Sequence, residues 1–303
     1  MSGVATPRID NGPIYNSLRS LYRFLAYRVL FDTILCPYGL LRHAALLRSG
    51  NRSKHHTYTC FLRAPAQLEA LTGPVVEFLS GTSPESSSLT ILVFACSNGA
   101  EAYTVASALL RAHPGLDFHI IASDLDQRLI DAGIAGTYDR EEVFHSPFVT
   151  DDFVRTTFDR AGDAYVVKPA VRSRVQFRQA DVLDDSLRSR FEPADIVLAQ
   201  NLFFHLAPDE ARVAFRNISL LLKPRAALLI EGFDLGLREE LTRARHLVPL
   251  EYRLREIYEQ SRVHASLAWW RLYYGAEPYM RTRQHRTHRY GTVFLTDAGG
   301  RAR

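Results

Sequence analysis

Five polar residues of this chain fall where a strand-and-helix alternation would present them to a ligand: Ser97, Glu101, Asp124, Asp181 and Asn201. The first two belong to ILVFACSNGAEAYTVASALL, residues 91–110. An apolar run there meets a short polar turn, and a helical pattern follows at once. That is the layout of a nucleotide site, yet the turn holds one glycine, Gly99. A dinucleotide turn needs several, so that backbone amides can approach a pyrophosphate at the helix N-terminus. Here Ser97, Asn98 and Ala100 fill that region, and Glu101 stands in the first helical turn. A carboxylate there repels phosphate and can pair with a cation. S-adenosylmethionine carries an ammonium and a sulfonium and no phosphate, so the turn favours it over NAD. Glu101 also fits a plain complement to the helix dipole.

Asp124 closes the next strand-like run, 25 residues after Gly99. An acid at that place can accept both ribose hydroxyls. Asp126, two residues on, reads as a helix N-cap. Asp181 closes a third strand in RQADVLDD, where a carboxylate can take an adenine amino group. Each signal alone is weak, but three acids at successive strand ends form a pattern.

The elements that must position these residues begin at Leu89. LTILVFA, FHIIASD, RVQFRQADVL, ADIVLAQN and AALLIEGF read as strands. Helical patterns cover 100–111, DQRLIDAGIAG and 208–222 between them, and YGTVFL reads as the last strand. Such alternation predicts a mostly parallel sheet wrapped by helices on both faces. Ligands in these sheets sit at the carboxyl ends of the strands. Residues 137–174 break the alternation and read as an inserted unit, and 234–291 as a second insert. RAPAQLEALTGPVVEFLSG reads as helical. Residues 14–35 read as an amphipathic helix, with Leu18, Leu21, Tyr22, Leu25 and Val29 on one side and Arg19, Arg23 and Arg28 on another.

The chain has 303 residues, 47% of them hydrophobic, and a net charge of +4. This allows one or two domains with a real core. No window of about 18 apolar, uncharged residues suggests a membrane span. Cys36, Cys60 and Cys96 have no metal-ligand or redox spacing, and no metal site is expected. The opening MSGVATPRID lacks a leader pattern, so a cytoplasmic protein is expected. Basic residues gather at the ends: eight Lys or Arg against two acids before His55, ten against four from Arg253 onward. MRTRQHRTHRY carries no recognised nucleic-acid motif, and nucleic acid is not expected as a partner.

From about Thr57 to Phe233 the chain resembles the chemotaxis-receptor methyltransferases, the CheR-like family that uses S-adenosylmethionine to esterify glutamate side chains. TYTCFLRAPAQLEAL is similar to the family's TxFFRxxxxFxxL, and ACSNGAEAYTVA to GCSTGEEPYSIA. ASDLDQRLIDAGIAGTY matches ATDIDxxxLxxAxxGxY, YVVKPAVRSRVQFRQADVLD resembles YxVKPxLRxxVxFxxxNLLD, and DIVLAQNLFFHLAPDEARVAF resembles DLIFCRNVLIYFDPExRxxxL. The resemblance implies a class I methyltransferase, a Rossmann-like α/β domain over 57–303, behind a small helical region at 1–56. It implies cofactor contacts from Thr59, Glu101, Asp124, Asp181, Val182 and Asn201. Ser97 and Gly99 of the turn and Gln200 beside Asn201 complete the candidate set. It also implies that Arg63 stands beside the reacting groups, where it could orient a carboxylate, bind a backbone carbonyl or hold the cofactor's own carboxylate.

The chain departs from the family on the acceptor side. Gln200 replaces an arginine and His205 a tyrosine. His205 could bond an acceptor or simply pack. These changes, and Trp269, Trp270, Tyr273 and Tyr274 in the second insert, raise a small or lipid-like acid as acceptor. The leading expectation is a carboxyl O-methyltransferase making a 3-hydroxy fatty acid methyl ester, a quorum-sensing signal that regulates gene expression. The alternative is a chemotaxis-type protein-glutamate O-methyltransferase, which would recognise its receptor by strand addition to 137–174. The aromatics would line an acyl pocket, or belong to a helix packed on the sheet. Helix 14–35 would touch the inner membrane peripherally, or cover the core.

Overall fold

The computed structural model describes residues 59–80, 88–261 and 281–296, with Leu41 and Tyr279. Helix 14–35 and the aromatic stretch around Trp269 lie outside these residues.

Among the described residues, ten strands form two sheets. The main sheet holds β1 (Leu89–Phe94), β2 (Phe118–Asp124), β6 (Val175–Gln179), β7 (Ala194–Gln200), β8 (Leu222–Glu231), β9 (Val248–Pro249) and β10 (Val293–Leu295). Their order is β6-β2-β1-β7-β8-β10-β9. β6, β2, β1, β7 and β8 run parallel, and β10 is antiparallel to β8 and to β9. The central strands β1 and β7 are buried nearly throughout because both faces are covered, and they read as near-continuous apolar runs. Along β1, Ile91 and Val93 enter one core and Leu92 and Phe94 the other, as a period of two requires. The first core packs helix Ala100–Ala112, and the second packs helix Pro208–Ser219.

Strand order reverses between β1 and β7, so the crevice of the sheet opens there. The loops after β1 and β7 carry residues 95–99 and 201–206. Helix Ala100–Ala112 enters from Gly99, in left-handed conformation at φ 89°. A Cβ at Gly99 would meet the Phe177 ring at 2.7 Å, and one at Gly133 would meet it at 2.5 Å. Phe177 thus fills the space two glycines leave between β6 and its covering helices. Asp126 caps helix Gln127–Ala135 by accepting from the Arg128 N–H at 2.9 Å, as its sequence suggested.

The unit at 137–174 is a three-stranded antiparallel sheet, ordered β3-β5-β4, from β3 (Thr137–Tyr138), β4 (Phe158–Ala161) and β5 (Ala164–Val167). Phe61 plugs into it, its ring centroid 4.9 Å from Tyr138, 5.1 Å from Phe158 and 6.1 Å from Phe153.

Three boundaries differ from the sequence reading. β6 ends at Gln179, so Asp181 lies beyond the strand in a turn. The helical run after Ala64 is broken by a π-turn, Leu71–Val75, because Pro74 lacks the N–H that an α-helix needs. The stretch 234–291 is more than an appendage: it supplies β9, the edge strand of the main sheet.

Candidate active site

Four non-glycine residues in left-handed conformation surround the crevice: Leu62 (φ 46°), Ala95 (54°), Ser97 (51°) and Asn201 (51°). Each costs roughly 1–2 kcal/mol. Such strain persists only where surrounding contacts over-determine it, and it gathers at functional sites.

On the cofactor side, Asp124 anchors the turn after β1. Its Oδ2 accepts from the Ser97 N–H at 2.8 Å and its Oδ1 from the Asp126 N–H at 3.1 Å. Burial pushes its carboxyl above the usual range despite these donors. The Gly99 N–H donates to the Cys96 carbonyl at 3.0 Å, closing the turn. Asp181 sits alongside, since the Ala180 N–H donates to the Asp124 carbonyl at 3.0 Å. Its Oδ1 accepts from the Leu183 N–H at 2.9 Å. Val182 is buried, and Leu125, directly after Asp124, is 53% exposed. Leu125 was not a sequence candidate; an apolar residue exposed between two acids was its signal.

Arg63 reaches the crevice through the 59–63 segment. Thr59, half-buried, leads into it. The Leu62 N–H donates to Thr104 Oγ1 at 3.4 Å, and the Leu62 carbonyl accepts from Ser146 Oγ at 3.0 Å. A loop of the inserted unit, through Ser146, and helix Ala100–Ala112, through Thr104, therefore clamp the residue before Arg63. Glu101 keeps some accessible surface but is otherwise enclosed by protein. Desolvation pushes its carboxyl up to about 8, against the opposing charge of Arg63, while Glu231 adds to the rise.

Glu231 was missed in the sequence, although it ends β8 as Asp124 ends β2. It is 6% exposed, and its Oε2 has no hydrogen-bond partner. Burial raises its carboxyl, and Arg63 and Arg238 oppose the rise. Its Cα partner across the sheet is Gln200. Gln200 Nε2 donates to Gln67 Oε1 at 2.7 Å, and Gln67 Nε2 donates to Thr292 Oγ1 at 2.7 Å. Gln200 thus belongs to a buried chain of polar groups, its Oε1 unpartnered. That chain ties the end of β7 to the helix that holds Gln67 and to the segment before β10. Asn201 follows, its N–H bonded to the Glu231 carbonyl at 3.0 Å. Gly232 (φ 63°) lets the two strand ends approach: a Cβ there would lie 2.6 Å from Asn201 Oδ1. His205 ends the short helix Phe203–His205, its ring 4.0 Å from that of Phe204. Among the described residues no cluster of His, Cys, Asp or Glu is placed to hold a metal, and no helix is long and apolar enough to cross a membrane.

The donor set suits S-adenosylmethionine. Glu101 can meet an ammonium, Asp124 keeps lone pairs for ribose hydroxyls, and Leu125 and Val182 offer apolar surface to a flat base. The strand order, the reversal at β1 and β7 and the antiparallel β10 define a class I methyltransferase fold. Residues 57–248, more than half of the chain, match the family described as CheR methyltransferase, SAM binding domain. The chain belongs to that family. It is similar to chemotaxis protein methyltransferase 2 of Pseudomonas aeruginosa, at 32% identity over 51% of this chain and 54% of that one. It is similar to the probable biofilm formation methyltransferase WspC of the same organism, at 28% over 67% and 48%. The chemotaxis protein methyltransferase of Listeria monocytogenes is 25% identical over 46% and 51%. The chain spans about half the length of these relatives.

Proposed function

We propose that the chain is a carboxyl O-methyltransferase, and that its acceptor is a glutamate side chain of a protein. One observation carries the carboxyl reading: Arg63 is held in the crevice within electrostatic reach of Glu101 and Glu231. A guanidinium is suited to orient a carboxylate through its planar fork. The cofactor, when bound, supplies a sulfonium methyl that needs no activation. A carboxylate is already a nucleophile at neutral pH, so no general base is required. The protein must align the attacking oxygen, roughly 3 Å from the methyl carbon, and exclude water. Relatives named chemotaxis protein methyltransferase support the protein acceptor. So does the small sheet, whose outer strand β4 pairs only with β5 among the described residues and leaves Asp159, Arg160 and Ala161 exposed. That edge could receive an extended peptide.

A second reading is favoured by Gln200. It stands uncharged and turned into the core where the family pattern carries an arginine, which suits a small or lipid-like acid such as a 3-hydroxy fatty acid made into a quorum signal. Peripheral membrane contact by helix 14–35 belongs to this reading. It predicts flotation with anionic vesicles, abolished by Arg19, Arg23 and Arg28→Glu.

The test is transfer of labelled methyl from S-adenosylmethionine into a cell extract. A methyl ester releases its label as methanol in alkali. Base-labile label in the protein fraction supports the first reading, and in the organic extract the second. Base-stable label sinks both.

A further inference from the structure

Glu231 is a buried acid without the partners that buried acids need. Its side chain forms no ion pair among the described residues, and Oε2 accepts no hydrogen bond. A carboxylate left that way in a protein interior is costly unless something else meets it. The groups facing it come from every element packed around the strand end. Arg63 and Cys60 stand on the 59–63 segment, Glu101 on helix Ala100–Ala112, and Arg238 on helix Leu235–Ala244. Gln200, on β7, is uncharged. Arg238 Nη2 donates to the neutral Arg289 carbonyl, so its charge still acts on Glu231 and opposes the rise of its carboxyl.

The charges decide the state of Glu231 when both substrates are present. Arg63 contributes one positive charge and Glu101, paired with the cofactor ammonium, one negative. S-adenosylmethionine brings a sulfonium and an ammonium against one carboxylate, a net positive charge. An acceptor carboxylate brings one negative, and the charges of these four groups sum to zero. An ionised Glu231 would put a second negative charge beside the incoming carboxylate and repel it. A neutral carboxylic acid has an O–H to give. Held protonated by an apolar site, such an acid serves as a hydrogen-bond donor to an oxyanion.

We propose that Glu231 is a positioning residue of the acceptor subsite, a carboxylic acid that donates a hydrogen bond from its unpartnered oxygen to the acceptor carboxylate, across from Arg63. The inference rests on the carboxyl reading above. The proton stays on Glu231 throughout. One acceptor oxygen is steadied by the acid and the guanidinium, and the other is free to attack. Burial at the end of β8 raises its carboxyl and so favours the neutral acid, and Gln200 beside it adds no competing charge.

Infrared difference spectroscopy on the complex with S-adenosylhomocysteine tests this directly, because the ammonium holds Glu101 ionised there. Sodium butyrate serves as a carboxylate probe, and butyramide as its neutral control. Wild-type protein should show the carbonyl band of a protonated carboxyl at neutral pH. Butyrate should shift that band and butyramide should not. In Glu231→Gln the band should be gone. In transfer assays with cell extract, Glu231→Gln keeps a donor and should lose far less turnover than Glu231→Leu. Its alkaline limb should flatten. Glu231→Leu should weaken half-saturation by acceptor at least about tenfold, with S-adenosylhomocysteine affinity, a check on folding, within about twofold. A band that survives in Glu231→Gln, or ignores butyrate, overturns the proposal. So does a loss of cofactor affinity in Glu231→Leu equal to the loss for acceptor. Base-labile product with indifferent Glu231 variants sinks this inference alone, whereas base-stable product sinks the carboxyl reading with it.

Discussion

The two halves of the crevice are built by opposite means. On the cofactor side the polar groups are satisfied by their own neighbourhood. Asp124 holds the N–H groups of Ser97 and Asp126, and Asp181 that of Leu183. These bonds set the loops in place before any ligand arrives. On the acceptor side the polar groups are held by distant chain or by nothing. Gln67 bonds Gln200, 133 residues away, and Thr292, 225 away. Gln200 Oε1, Glu231 Oε2 and Arg238 Nε have no partner. The difference separates polar groups already satisfied within the fold from polar groups left to be met, and buried polar atoms without partners among the described residues are the mark of the second.

The largest effect should come from the residue that bridges the halves. Arg63→Lys replaces a fork by a point charge. Turnover should fall by about 10²-fold or more, since misplacement of a reacting group costs on that order. Cofactor affinity, measured by calorimetry, should stay within about threefold. Equal losses in both would move Arg63 to the cofactor side.

Asp124→Ala should act on the other half alone. It removes a charged acceptor from the ribose and releases the Ser97 and Asp126 N–H groups that order the turn. Charge-assisted hydrogen bonds contribute about 1.5–3 kcal/mol each, so affinity for S-adenosylhomocysteine should fall at least about tenfold. Unchanged affinity would show that the ribose lies elsewhere.

Glu101 gives a pH signature. Its carboxyl is pushed up to about 8, above the usual 4.5, by desolvation, with Arg63 opposing the rise. A raised folded value adds stability that is full below 4.5 and fades as pH rises through about 8. The cofactor ammonium needs the ionised form, so binding must expel the proton. Affinity should therefore rise by up to about tenfold per pH unit towards 8 and then level, since each pKa unit is worth about 1.4 kcal/mol. Calorimetry across pH 6–9 checks it, and Glu101→Gln should bind weakly with a flat profile. A flat profile in the wild type would place the ammonium away from Glu101.

The same contrast explains what could be read in the sequence. The alternation of apolar runs and helical patterns located β1, β2, β7 and β8 to within a few residues, because strands buried on both faces leave near-continuous apolar runs. Asp126 was legible as a cap because its partner, Arg128, is two residues on. Asp181 was placed at a strand end, but β6 stops at Gln179, since apolar pattern does not mark where pairing ceases. Gln200 was grouped with the cofactor by its place beside Asn201. Its hydrogen bond to Gln67, 133 residues earlier in the chain, is one that no local spacing reveals. Glu231 had a local signal, an acid closing an apolar strand, but its isolation from partners exists only in the folded chain. β9 was hidden because two residues carry no periodicity.

The smallest effect tests how finely the cofactor half is divided. Asp124 and Asp126 lie two residues apart and both end in carboxylates, yet they face different tasks. Asp126 Oδ1 accepts from the Arg128 N–H at 2.9 Å and caps helix Gln127–Ala135, and its other oxygen meets the Arg128 side chain at 2.6 Å. Arg128 is itself largely exposed, so that ion pair adds little. The cap is what Asp126→Ala would remove, leaving a first-turn N–H to water. Loss of one cap in a domain of this size should lower Tm by about 2–4 °C. Asp124 would keep its bond to the backbone N–H of residue 126, which the substitution leaves in place. S-adenosylhomocysteine affinity should then hold within about twofold. A tenfold loss of affinity would mean that the capped helix, and not Asp124 alone, sets the ribose seat. The division between the two carboxylates would then collapse into a single cooperative unit.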